Sequence, residues 1–171
     1  MREAVRRLVA EGALVDAPAR ALRVPALQRS RLIDLKRARI GIESMVIELA
    51  VERAGQDDID RLEAILDDAS ARVLKSPIDE LHSNRLFHFS LYRLGGSPTL
   101  FRVIESLWLQ YGPFLNLIHH TIDPEIRGTD KDHRRILAAA RDNDVAAAKA
   151  ALVEDISRSF DILDAYTQEV G

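Results

Sequence analysis

The chain has 171 residues, of which 47% are hydrophobic and 30% are charged, a composition typical of one globular domain and not of a disordered chain. The absence of cysteine excludes disulfide bonds, thiol catalysis and thiolate metal ligands. No apolar run reaches the ~18 residues that a membrane helix needs, and the arginine-rich N-terminus lacks the apolar core of a signal peptide, so we expect a cytoplasmic protein.

The net charge of −3 is unevenly distributed along the chain. Residues 1–40 contain 10 Lys/Arg and 4 Asp/Glu, a charge of +6, whereas the remaining residues contain 14 and 23, a charge of −9. This division is compatible with a basic end that faces nucleic acid on an acidic body. A basic helix that is simply solvated explains the charge equally well.

The first 27 residues predict a short helix followed by a β-hairpin. Residues 2–11 are amphipathic, Gly12 is placed to end the helix, and Arg2, Arg6 and Arg7 lie on the polar side. The turn-forming segment DAPAR stands between ALV and ALRV, a pattern that predicts two short paired strands.

Six further helices are predicted from apolar residues at helical spacing and from caps and breakers. In chain order they cover residues 30–54, 57–76, 78–94, 98–122, 130–141 and 145–165. Asp57 or Asp58 is placed to cap the second of them, and Gly112-Pro113 is expected to kink the fourth. The body of the chain is therefore predicted to be all-α.

Two polar residues interrupt the apolar face of the helix predicted over residues 78–94. Asn84 and His88 are four residues apart and are surrounded by Leu81, Phe87 and Leu91, so both side chains should point into the core. Unpaired polar groups are costly there, which means that partners must exist. His133 and Asp155, in later helices, are the candidate partners.

Several segments resemble a known regulator family. The segment REAVRRLVAEGALVDAPARALRV is similar to the second half of a GntR-type winged helix-turn-helix, although Ala21 replaces the wing glycine. The remainder of the chain resembles the FCD effector domain of the FadR branch, in its six-helix, VanR-like form. The matching motifs are RIGIE at residues 39–43, NRLFHFSLYRLGGSPTL from Asn84, and DHRRILAAARDNDVAAAKAAL from Asp132. The resemblance implies a partial DNA-binding domain over residues 1–27 and a six-helix antiparallel bundle over 28–171.

The resemblance also implies a bundle cavity that binds a small organic acid, often beside a metal held by one Asp and three His. These positions fall on Asn84, His88, His133 and Asp155, so an Asn stands where Asp is usual and Asp155 stands where the last His is usual. This set suits Zn, Ni, Mn or Fe(II). The alternative is a metal-free polar core that contacts the effector through hydrogen bonds.

Three further residues are implied in effector binding. Arg39 is the family position that grips an acid; a salt bridge to Glu43 is the alternative. Trp108 and Tyr111 either line the pocket or simply pack in the core.

The implied function is that of a homodimeric, ligand-responsive transcription regulator and not of an enzyme, with Arg2, Arg6, Arg7 and Arg20 facing DNA. The chain begins inside the winged-helix unit, so we expect an upstream start or a shortened gene, and weak or absent DNA binding by these 171 residues alone. Two alternatives are a metal-dependent enzyme and a ligand-binding or dimerisation module without DNA binding.

Overall fold

The structure, a computed structural model, describes residues 2–17, 21–71, 76–121 and 129–170. Within these ranges the chain forms seven helices and one antiparallel hairpin, in which Val15 pairs with Arg23. The elements are α1 (Arg2–Ala10), β1 (Val15–Ala17), β2 (Ala21–Arg23), α2 (Arg29–Arg53), α3 (Gln56–Ala71), α4 (Pro77–Leu94), α5 (Pro98–Thr121), α6 (Thr129–Arg141) and α7 (Val145–Val170). The predicted fold, six helices after a helix and a small hairpin, is confirmed.

The six helices from α2 onward enclose one hydrophobic core. Helix α2 packs along α7, α4 and α5, whereas α3 packs on α4 and α6, and α6 packs on α7. The side chains of Ile47, Phe87, Ile104, Ile136 and Leu152 are fully buried in this core. Within the described ranges, none of the helices combines the length and the hydrophobicity that spanning a membrane requires.

The buried face of α2 does not include all of its apolar residues. Ile33 and Met45 are 41% and 52% exposed. The buried face includes Leu35, Arg39 and Glu43, which follow one another at intervals of four residues. Because the helical repeat allows only one face to meet the bundle, burial of this charged pair turns the two apolar side chains outward.

Helix ends follow the predicted ones closely, with local differences. Helix α3 begins at Gln56, before either predicted cap, and the Asp58 carboxylate accepts the Gly55 N–H at 3.1 Å. Pro113 lies inside α5, which continues to Thr121 without interruption. The predicted hairpin turn lies partly at residues 18–20, and the predicted loop before α6 lies mostly at residues 122–128. Both ranges are outside the described residues.

The start of α4 is fixed by a reciprocal capping box. The Ser76 hydroxyl accepts the Asp79 N–H at 3.2 Å, and the Asp79 carboxylate accepts the Ser76 N–H at 3.3 Å. Together they satisfy backbone donors that a helix start leaves unpaired. Since α4 carries Asn84 and His88, this cap also helps to hold the polar pair in place.

We expect Ser76→Ala to lower the free energy of unfolding by about 1 kcal/mol, the usual cost of losing such a cap. Denaturation by urea, followed by circular dichroism, measures the change. Ser30→Ala is the matched control, because Ser30 is exposed near the start of a helix whose N-cap makes no side-chain hydrogen bond. Equal stability of the two variants would contradict a role for the box.

Candidate metal and effector site

Three side chains from three helices meet in the bundle core. The Nε2 atom of His88 on α4 lies 3.1 Å from Nε2 of His133 on α6 and 3.3 Å from Oδ2 of Asp155 on α7. Nε2 of His133 lies 3.6 Å from Oδ1 of Asp155. Both imidazoles are buried, and the Asp155 side chain is 20% exposed. His133 and Asp155 are therefore partners of His88, as expected, whereas Asn84 is half-buried.

A hydrogen-bond chain sets the tautomer of His88. Burial and the charge of Glu43 raise the pKa of Tyr92 well above its usual value, so the hydroxyl keeps its proton. The hydroxyl donates that proton to Oε2 of Glu43 at 2.5 Å. In the 3.1 Å contact between Nδ1 of His88 and the Tyr92 hydroxyl, the imidazole is therefore the donor. Neutral His88 then carries its lone pair on Nε2, whereas protonated His88 donates from Nε2 to Asp155, 3.3 Å away.

The two facing nitrogen atoms require something positive between them. In the absence of an ion, one proton of His133 shared with the lone pair of His88 satisfies the 3.1 Å contact. A divalent cation in place of that proton can take the lone pairs of both rings. The pair is therefore chemically suited to metal binding as well as to a simple hydrogen bond.

Asp155 remains ionised beside the two imidazoles. Burial alone would raise the pKa of this carboxyl, but the hydrogen bond to His88 and the positive charge of His133, His88 and Arg39 outweigh burial and lower it to about 2. An anionic oxygen is thus available at the same point as the two ring nitrogens.

Arg39 and Glu43 form a buried bidentate ion pair. Nε and Nη2 of Arg39 donate to the two carboxylate oxygens of Glu43 at 2.7 and 3.2 Å, and both side chains are at most 2% exposed. Burial alone would lower the pKa of Arg39, but the charge and hydrogen bonds of Glu43 raise it. The guanidinium carbon also lies 4.8 Å from the Trp108 ring centre and 4.4 Å from that of Tyr111.

A cavity of about 50 Å³ opens onto these groups. All seven residues that sequence analysis assigned to effector binding lie in its wall: Arg39, Asn84, His88, His133, Asp155, Trp108 and Tyr111. Burial raises the pKa of Tyr111 to about 12, despite the opposing charge of Arg39, so its hydroxyl is neutral. The proposed set of residues is therefore gathered around one space.

Two polar residues of the cavity wall were not predicted from the sequence. Arg158 and Ser159 follow Asp155 by three and four residues on α7, and so lie on the same helix face. Nη2 of Arg158 contacts Oδ2 of Asp132 at 2.5 Å, and Asp132 is only 1% exposed. The helical spacing from Asp155 was the available signal, but a polar residue so near the chain end also fits a solvent face.

The arginines assigned to DNA contact lie apart from this cavity. Arg2, Arg6 and Arg7 are exposed on α1, and Arg7 pairs with Glu11 at 2.7 Å. Arg20 lies outside the described residues. No residue of helix α1 is fully buried, although Val5, Leu8 and Val9 are partly covered.

Comparison with known proteins assigns the chain to a family. The FCD domain model matches residues 34–158. The chain is 32% identical over 165 residues to the HTH-type transcriptional regulator McbR of Escherichia coli (strain K12), covering 95% of this chain and 75% of that protein.

Solved structures agree with this assignment. The structure of E. coli McbR/YncC is similar with a TM-score of 0.86 at 32% identity, over 98% of this chain and 79% of that one. A GntR family transcriptional regulator from Pseudomonas syringae pv. tomato str. DC3000 gives a TM-score of 0.72 at 25% identity, over 98% and 69%. These relatives are named as regulators, which supports a regulator over a metal-dependent enzyme. The chain belongs to the FCD-domain family of GntR-type transcription regulators.

Proposed function

We propose that residues 28–171 form an effector domain that binds a small organic acid beside a divalent metal ion. The observation that carries this proposal is the convergence of His88, His133 and Asp155 at a buried cavity. Arg39 and Arg158 lie in the same wall and favour an anion there. The metal would supply a positive charge that binds an oxygen of the acid.

The donor atoms of the three side chains lie close to the spacing found around a small divalent ion. Nitrogen and oxygen ligands about 2.0–2.1 Å from Zn²⁺, at tetrahedral angles, are roughly 3.3 Å from each other. The two Nε2 atoms are 3.1 Å apart, and each ring faces a different oxygen of Asp155, Oδ2 at 3.3 Å from His88 and Oδ1 at 3.6 Å from His133. One ligand atom from each residue lies within 4.8 Å of the others. Asn84 lies in the same wall, and we propose that its amide oxygen completes the set or binds the acid. Zn, Ni, Mn and Fe(II) all accept such ligands.

The charges around the cavity support binding of both a cation and an acid. Three guanidinium groups and four carboxylates belong to the cavity wall and its ion pairs, which leaves one negative charge. They are Arg39, Arg135 and Arg158, and Glu43, Asp132, Glu154 and Asp155. A divalent cation changes this balance to +1, and a monoanionic acid then brings it to zero. Because uncompensated charge is costly in a buried site, the acid should bind best when the metal is present.

Helix α5 connects this cavity to the N-terminal elements. Trp108 and Tyr111 of α5 line the cavity, and Gln110 lies between them in sequence. Nη2 of Arg31 donates to Gln110 at 3.1 Å and to the Gly12 carbonyl, just after α1, at 2.8 Å. We propose that a shift of α5 on acid binding reaches α1 through Arg31, which couples effector and DNA binding.

Residues 1–27 supply the DNA-binding part of the proposed regulator. The exposed Arg2, Arg6 and Arg7, together with Arg20, would contact DNA phosphates or bases. Two copies of the chain would present two such parts to two half-sites, as helix-turn-helix dimers do. A homodimer is therefore part of the proposal, and native mass spectrometry measures it directly.

Elemental analysis and native mass spectrometry of the protein reconstituted with Zn²⁺ test the site. We expect about one ion per chain for the natural sequence and loss of the ion in His133→Ala, because one of its ligands is gone. His82→Ala, an exposed position on α4, is the control. Retention of the ion by the His133 variant would contradict the assigned ligands.

Tyr92→Phe tests the hydrogen bond that orients His88. The ring remains, but the imidazole loses the partner that fixes its tautomer, so Zn²⁺ affinity should fall about 10-fold to 100-fold. Competition with a chromophoric chelator measures the affinity. Tyr166→Phe is a suitable comparison, since Tyr166 lies on α7 outside the cavity wall. Unchanged affinity in Tyr92→Phe would show that the hydroxyl is unnecessary.

Arg31→Ala tests the proposed connection between α5 and α1. Hydrogen bonds from a charged group hold the two elements together, so their loss should speed amide exchange in α1 and the hairpin about tenfold. Hydrogen–deuterium exchange with mass spectrometry provides the measurement, with the exposed Arg37→Ala as control. If protection of α1 is the same in both variants, Arg31 does not join these elements.

A further inference from the structure

Three buried polar atoms in the cavity wall have no hydrogen-bond partner within the described part of the chain, namely the hydroxyl oxygen of Tyr111, the indole Nε1 of Trp108 and the Nε of Arg158. The hydroxyl can donate or accept, whereas the other two can act only as donors. Trp108 is only 7% exposed and lines the cavity. Buried donors are almost always paired in folded proteins, so these two indicate that an acceptor belongs in the space between the helices.

The other positive group of the wall is already committed. Arg39 donates through Nε and Nη2 to Glu43, which leaves its charge largely neutralised. Arg158 differs, because Asp132 holds only its Nη2 end and the Nε–H is left without a partner. The contact with Asp132 thus fixes the guanidinium in place and leaves one edge for a ligand.

We infer that the Nε–H of Arg158 and the indole N–H of Trp108 together bind the carboxylate of a compact acid. The inference rests on the proposed function, since it assumes that the cavity receives an acid. Two N–H donors in the wall of one cavity suit a group with two acceptor oxygens, and one of the donors carries a positive charge. Arg39 then has a structural role, and the acid is selected by Trp108 on α5 and Arg158 on α7.

The volume of the cavity limits the size of the acid. An engineered cavity of about 150 Å³ in a protein core binds benzene, whereas this cavity measures about 50 Å³. An acid with a short aliphatic group, such as acetate, fits this space. An aromatic acid such as benzoate exceeds it.

The single tryptophan of the chain makes a direct test possible. Acetate is titrated into the full 171-residue protein loaded with Zn²⁺, and binding is followed by calorimetry and by the ¹H–¹⁵N resonances of the indole and of the Arg158 side chain. We expect saturable shifts of both resonances at the affinity that calorimetry gives. Benzoate should produce neither heat nor shift, and equal binding of benzoate would overturn the size limit.

Failure of this inference is distinguishable from failure of the proposed function. If acetate binds but neither resonance moves, the acid is held by other groups and the inference is wrong, while the effector site stands. If neither acetate nor any larger acid binds, both the inference and the proposed function are wrong.

Arg158→Lys and Arg135→Lys form a matched pair of variants. Both arginines contact Asp132, but only Arg158 lines the cavity. Loss of the Nε–H in Arg158→Lys should weaken acetate binding about tenfold, as expected for one hydrogen bond from a charged group, and Arg135→Lys should change it less than about twofold. Equal weakening of acetate binding in the two variants would show that the effect acts through Asp132. The inferred contact between the Arg158 Nε–H and acetate would then be wrong.

Discussion

The carboxylate of Glu43 is the interaction on which the bundle and its site both depend. It is fully buried and accepts hydrogen bonds from Arg39 and Tyr92. A buried charge is tolerated only with such partners, so α2, which carries Arg39 and Glu43, must face α4, which carries Tyr92. The same contact fixes the tautomer of His88 through Tyr92. The hydrogen bonds of Glu43 therefore both stabilise the core and leave Nε2 of His88 available as a ligand atom.

The site exists only in the assembled bundle, because its groups come from separate helices. His88, His133 and Asp155 lie on α4, α6 and α7, while the aromatic wall belongs to α5. Any change in the packing of these helices alters the distances between donor atoms. Occupation of the cavity is for the same reason linked to the packing of the whole domain, which is what a ligand-responsive regulator requires.

The fold could largely be predicted from the sequence, because periodic apolar residues, glycines and prolines mark the helices and the hairpin. The burial of His88 followed from its spacing among apolar residues, and the search for its partners named His133 and Asp155, to which resemblance to the family added a role in metal binding. Asn84 is only half-buried. The spacing of apolar residues could not predict the burial of Arg39 with Glu43 or the exposure of Ile33 and Met45. Which face of α2 is covered depends on the neighbouring helices, and α2 has an apolar residue on almost every side.

The two residues proposed to bind the acid differ in what they contribute to the core. Trp108 is buried and packs against His88 and Arg39, so its substitution would also change the surroundings of the proposed metal ligands. Arg158 is partly exposed, and its Nε–H has no partner within the described part of the chain. Substitutions at Arg158 can therefore alter which acid is recognised at little cost to the hydrophobic core, which makes this position on α7 the simplest route to a new effector.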